Sequence, residues 1–138
     1  YEPWLGTPKA AAVTEHALEG SDERLLAINL HAVNFTFGIA DLNAQLSPLA
    51  ELVSSHRGPA VLAGDFNSWI DSRLRVFDES VSGLGLIPLR FDPDLRSYAF
   101  GRQLDHIYVR CLVEEISEVV PVTSSDHNAL LACLNLLL

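Results

Sequence analysis

The sequence predicts a mixed α/β domain, and three stretches carry that expectation. Residues 60–67, AVLAGDFN, run as a short apolar strand that breaks at Gly64 and delivers Asp65 and Asn67 at its end. From Ile39 to His56 the apolar residues Leu42, Leu46, Leu49, Leu52 and Val53 recur at three- and four-residue intervals, the spacing of an amphipathic helix. Leu104 to Val109 alternates, with Leu104, His106 and Tyr108 on one face and Asp105, Ile107 and Val109 on the other, the period of a strand. No internal repeat or linker interrupts the 138 residues, which is the length of one ordinary domain.

In chain order, residues 1–12 contain Pro3, Gly6 and Pro8 and read as an irregular or edge segment. A strand is expected over Ala11 to Leu18, then a turn at Glu19-Gly20-Ser21-Asp22. Arg24 to His31 is a Leu/Ile-rich strand ending at a histidine, followed by a loop through Asn34 to Gly38. The helix over 39–56 contains Pro48, which predicts a kink or a late start. Gly58-Pro59 ends it. A second helix is expected over Asp71 to Val81, with Leu74, Phe77 and Val81 on one face and Gly83 and Gly85 as its stop. Leu86 to Leu89 and Ser97 to Phe100 read as short strands around a polar loop, and Gly101-Arg102 turns the chain into the Leu104 strand. Leu112 to Val120 and Ala129 to Leu138 are the last two strands. The polar loop Thr123-Ser124-Ser125-Asp126-His127-Asn128 lies between them.

Composition narrows the function classes. Hydrophobic residues make up 49% and mean hydropathy is +0.20, which argues against disorder. The net charge of −9 makes the chain a poor autonomous clamp for long duplex DNA, because that binding runs on Lys and Arg displacing counterions. A bound divalent metal would reverse the sign locally. Cys111 and Cys133 show no metal-ligand spacing and sit in apolar runs, so buried thiols are expected. The longest apolar run, Ala129 to Leu138, falls short of the ~20 residues a bilayer span needs. No signal-peptide pattern is present, and the cytoplasm is the expected compartment. The chain begins at Tyr1 rather than methionine, so the native N-terminus is expected to be missing.

The polar residues placed at strand ends are His31 and Asn34, Asp65 and Asn67, Asp105, and Asp126 with His127. Alone, the GDFN stretch is a strand followed by an Asx-type turn, since Gly, Asp and Asn are turn residues. Brought together, the set offers three carboxylates, two carboxamides and two histidines. Hard oxygen donors of this kind suit Mg²⁺ or Mn²⁺, and hydrolysis of a phosphoester needs water activation and charge stabilisation of the sort they supply. Nothing resembles a nucleophile elbow around Ser125, which argues against a serine hydrolase.

The order NLHAVN, GDFN, LDHIYVR, SDHNAL resembles the endonuclease/exonuclease/phosphatase (DNase I-like) superfamily, and its wording looks most like the YafD-type bacterial proteins. The resemblance runs from about Leu25 to the C-terminus. It implies the C-terminal half of a four-layered αββα sandwich with mainly antiparallel mixed sheets, so residues 1–138 would be a single partial domain. By the same resemblance, Asp65 orients and deprotonates the attacking water, and Asn67 holds the scissile phosphate. Asp126 lies near the metal, His127 contacts the phosphoryl group or moves a proton, and Asp105 fixes the tautomer of His127. His31 matches a histidine of DNase I-like members, and Asn34 a loop asparagine near the phosphate. The implied cofactor is Mg²⁺ or Mn²⁺, with Asp65 and Asp126 as metal-side carboxylates. The main glutamate ligand is expected in the missing N-terminal half, since Glu2, Glu15, Glu19 and Glu23 lie in the wrong contexts.

Several residues keep bland readings. Arg102 is either a phosphate contact or a solvated turn residue. His106 and His56 are expected to be surface or packing residues, His16 has no partner in sequence, and Trp69 is expected to pack rather than stack on a base. The substrate is a phosphoester: nucleic acid, nucleotide or phospholipid headgroup. Three states of the chain stay open: a fragment of a metal-dependent phosphodiesterase, a partner of a separate N-terminal half, or a non-catalytic interaction module. An oily last strand without the first half predicts a homodimer or aggregation-prone oligomer.

Overall fold

A computed structural model describes residue 6, residues 8–34 and residues 39–137. Its centre is a five-stranded mixed sheet. The strands are β1 (Ala11–Ala17), β2 (Arg24–His31), β3 (Ala60–Asp65), β4 (Ile87–Pro88) and β7 (Asp105–Arg110), in the order β1-β2-β3-β7-β4. The β2–β3 pair is parallel and the other pairs are antiparallel. Two hairpins stand apart from it: β5 (Tyr98–Ala99) with β6 (Arg102–Gln103), and β8 (Leu112–Val120) with β9 (Ala129–Leu136).

The period-2 pattern divides the sheet between two cores. On one face Leu26, Ile28 and Leu30 of β2, Leu62 of β3 and Tyr108 of β7 meet the two helices. These are α1 (Ala40–Ser55), through Leu42, Leu46 and Val53, and α2 (Asp71–Ser82), through Phe77 and Val81. On the other face Ile107 and Val109 pack with Leu89, Phe91 and Val119, flanked by Leu130 and Leu134 of β9. Helices, a five-stranded sheet and a two-stranded sheet make three stacked layers, consistent with part of the αββα sandwich that the resemblance implies. Alternation along β7 therefore assigns its faces as expected.

The predicted elements survive with ends shifted by one or two residues. The first helix runs straight through the predicted breaker, with Pro48 inside it. A proline there costs about 3 kcal/mol, and burial of Leu42, Leu46 and Val53 on either side of it offsets that cost. The carbonyls at the end of α1 are closed by Arg110 of β7, whose guanidinium donates to Val53 O at 3.1 Å, to Gly58 O at 3.1 Å and to His56 O. The Leu86–Leu89 strand shortens to Ile87–Pro88, and the last strand ends at Leu136.

The thiol expectation is overturned: Cys111 and Cys133 are both exposed. Cys111 lies in the β7–β8 connection with φ +55°. Cys133 lies on a hairpin that is covered on one face only, where Leu130 and Leu134 point inward. An apolar run on such a strand does not imply burial on both faces.

Candidate active site

Register brings the polar strand ends into line. His31 pairs with Asp65 across the parallel β2–β3 ladder, and Asp65 with Asp105 across the antiparallel β3–β7 ladder. Directly paired residues project to the same face, so the three side chains form a row along one end of the sheet. Gly64 makes this possible. Its φ is +137°, and a Cβ there would sit 2.0 Å from Leu30 O. Only glycine lets β3 run this close to β2 just before Asp65.

The fourth member comes from the β8–β9 loop. His127 donates from Nδ1 to Asp105 Oδ2 at 2.7 Å, with the histidine side chain 31% exposed. Its backbone N–H donates to Ser125 Oγ at 3.1 Å. Burial opposes charge on His127, but the hydrogen bond and carboxylate of Asp105, with Asp65 and Asp126 nearby, outweigh it and raise its pKa. Burial likewise pushes the Asp105 carboxyl up, against the pull of His127. With Nδ1 committed, Nε2 is the nitrogen His127 presents for proton transfer.

At the other end of the row, His31 Nε2 lies 3.4 Å from Asp65 Oδ2 and 2.5 Å from Lys9 Nζ. An ammonium has no acceptor, so in this contact Lys9 donates and His31 Nε2 accepts. Asp65 Oδ1 accepts the backbone N–H of Asn67 at 2.9 Å, an Asx turn that coexists with the site. Phe66, between them, is fully buried against Phe77. Asn67 has φ +47°, is 4% exposed and donates from Nδ2 to Ala32 O at 2.9 Å.

Asn34 lies beside the row, accepting at Oδ1 from Trp69 Nε1 at 2.8 Å. Asp126 is exposed, and its backbone carbonyl accepts from Ser97 Oγ at 3.1 Å. Arg102 pairs with Asp71 on the surface, which supports the solvated-turn reading of that residue. His56 and His16 find local partners, Pro59 O and Thr14 Oγ1.

Sequence reasoning missed four supports. Arg73, 1% exposed, donates from Nε to Asn67 O at 3.0 Å and from Nη2 to Val33 O. It ties the two asparagine-bearing loops together, and burial lowers its pKa against the pull of Asp65. His106, read as packing, lies between Ser68 Oγ at 3.0 Å and Arg96 Nη1 at 3.3 Å, with Phe66 and Tyr108 against its ring. Burial first, then Arg96, lowers its pKa to about 4. Arg96 also donates to Asp105 O at 3.2 Å and pairs with Asp94. Lys9 brings a cation to His31. Each signal was a lone basic residue or histidine whose partner lies more than a turn away in sequence, apart from the Arg96–Asp94 pair.

Two hollows adjoin the row. One of about 210 Å³ is lined by Asn29, Ala63, Gly64, Asp105 and Leu130. A larger one of about 480 Å³ is lined by Asp94, Arg96, Tyr98, Gln103, Asp126 and Asn128. Among the described residues no group of three or more His, Cys, Asp or Glu side chains is placed to hold a metal ion. Asp65 and Asp126, the metal-side carboxylates the resemblance implies, are not brought into such a group, so the described residues do not by themselves supply a donor set for Mg²⁺ or Mn²⁺.

Comparisons with known proteins agree with this fold. A family model described as Endonuclease/Exonuclease/phosphatase family matches residues 6–127. A UPF0294 protein of Vibrio vulnificus is 38% identical over 136 residues, covering 98% of this chain and 48% of that protein. Another, from Yersinia enterocolitica, is 42% identical over 131 residues, covering 94% of this chain and 50% of that protein. The chain thus spans about half the length of these curated relatives. The solved endonuclease/exonuclease/phosphatase of Bacteroides vulgatus superposes with a TM-score of 0.64 at 20% identity, covering 93% of this chain and 56% of that one. That likeness is one of fold.

Proposed function

The chain belongs to the endonuclease/exonuclease/phosphatase family, and from that premise we propose that it carries the proton-transfer and phosphate-contacting part of a phosphoester hydrolase. The observation that supports this is the single row of His31, Asp65, Asp105 and His127 at one end of three adjacent strands. Asp65 aligns and deprotonates the attacking water. His127, oriented by Asp105, moves a proton at Nε2 and meets the phosphoryl oxygens. Lys9 and the second amide N–H of Asn67 supply positive potential to those oxygens, and Asn34 borders them. Any Mg²⁺ or Mn²⁺ would draw on Asp65 and Asp126 together with further donors, the glutamate implied by the resemblance among them.

The test is hydrolysis of a chromogenic phosphodiester and of plasmid, with Mn²⁺ and with chelator, by the chain alone and by the chain joined to the other half-domain that the resemblance implies. Asp65→Asn and His127→Ala each lose about 10²–10⁴-fold in rate, the usual contribution of a general acid or base. Hydrolysis that survives both substitutions rules the assignment out.

A second reading, an interaction surface, is favoured by one observation. Ile116 and Leu131 on the β8–β9 hairpin are 60% and 51% exposed and line one hollow. We propose that this face joins a second copy or the preceding half-domain. Elution as a strict monomer at micromolar concentration counts against the self-association.

A further inference from the structure

The β5–β6 hairpin holds a conformation that its sequence does not favour. Tyr98 pairs with Gln103 and Ala99 with Arg102, so Phe100-Gly101 is a two-residue loop. Both residues have positive φ, +51° and +79°, the signature of a type I′ turn, for which Asn-Gly is a preferred pair. A bulky residue at positive φ is strained. The fold gains little burial in return, because Phe100 is 87% exposed.

What the Phe100 ring does meet is Trp69, with centroids 5.7 Å apart and planes tilted by 45°. Trp69 follows Asn67 and Ser68 in the chain and is held by its hydrogen bond to Asn34. At the root of the hairpin, Ser97 Oγ donates to Asp126 O and accepts from Asn128 N at 2.9 Å, on either side of His127. The hairpin is thus fastened to the loop that carries His127, and its tip sets an open aromatic surface beside the candidate phosphate contacts. Strained backbone of this kind clusters at active sites and ligand clamps.

We propose that Trp69 and Phe100 form a stacking site for the base of a nucleotide phosphoester, a substrate class that rests on the hydrolase reading above. Stacking accepts any base, because every base has a π-face. The net charge of −9 selects a mononucleotide or short strand over a long duplex, which needs cations along its length. It equally gives no electrostatic anchor to an anionic membrane.

Phe100→Asn tests this. It installs the Asn-Gly pair the turn favours and removes the ring, so the melting temperature stays level or rises. In a Trp4→Phe background Trp69 is the remaining indole, and its fluorescence reports occupancy. Adenosine 5′-monophosphate quenches it and binds more tightly than ribose 5-phosphate. Phe100→Asn weakens the adenosine 5′-monophosphate affinity by about 5- to 160-fold, the range for loss of one stacking partner. Equal affinities for the two ligands, or unchanged binding by Phe100→Asn, overturn the proposal. So does Phe100-dependent sedimentation with phosphatidylcholine vesicles without base-dependent quenching, which assigns the tip to lipid. Binding is read without turnover, so the two readings separate. Base-dependent quenching with no hydrolysis defeats the hydrolase reading alone, and hydrolysis without base-dependent binding defeats the stacking site alone.

Discussion

Acidification across the ordinary histidine range is expected to destabilise this fold through one side chain, His106. Its imidazole is enclosed by Phe66 and Tyr108 and faces the Arg96 guanidinium, and its pKa falls from 6.5 to about 4. A depressed histidine pKa means that the unfolded chain takes up the proton first. The stability it contributes is present above pH 6.5 and is lost as pH falls from there toward 4. At 1.36 kcal/mol per unit, the displacement amounts to about 3 kcal/mol, a large share of a small domain's stability. Other groups titrate too. The raised His127 acts in the opposite sense, its contribution being lost as pH rises. Asp94, lowered by its hydrogen bond to Arg96, acts below pH 3.8. The measurement is therefore a difference. Urea unfolding of the wild type and of His106→Gln, near pH 7 and near pH 4, cancels the shared titrations while glutamine keeps a polar partner for Ser68. The stability advantage of the wild type over His106→Gln should shrink by about 3 kcal/mol between the two conditions. A difference that does not change with pH refutes the assignment of His106 as a half-buried neutral imidazole.

Three further outcomes are expected. Gly64→Ala places a Cβ 2.0 Å from Leu30 O at φ +137°. The loss should reach roughly 4 kcal/mol or more, from strain and overpacking together, visible as a collapsed thermal transition. Arg73→Met removes the donor from Asn67 O and Val33 O, each orphaned carbonyl costing ~1–3 kcal/mol; equilibrium unfolding reads this, and Arg73→Lys does not rescue it because an ammonium lacks the fork that spans both carbonyls. Asp105→Asn removes the carboxylate that raises the His127 pKa, so the His127 ring titrates at lower pH by NMR, and unchanged titration means that the 2.7 Å contact does not form in solution.

By itself the sequence determined the elements and the identity of the polar strand ends. Two-residue alternation in Leu104 to Val109 assigned the two faces of β7 correctly, because a strand's faces follow from backbone geometry alone. The three- and four-residue apolar spacing located both helices to within about two residues, in spite of Pro48. The tertiary structure decided what those ends do together. Whether His31, Asp65 and Asp105 stand side by side depends on the register of two ladders that join segments more than thirty residues apart, and register is fixed by core packing on both faces. The same holds for Arg73, His106 and Arg96, whose roles come from partners such as Val33, Ser68 and Asp105. The misread cysteines show the converse. Apolar neighbours in sequence promise burial, but burial is delivered only by a layer packed on that face, and on the β8–β9 hairpin the face that carries Cys133 is left open.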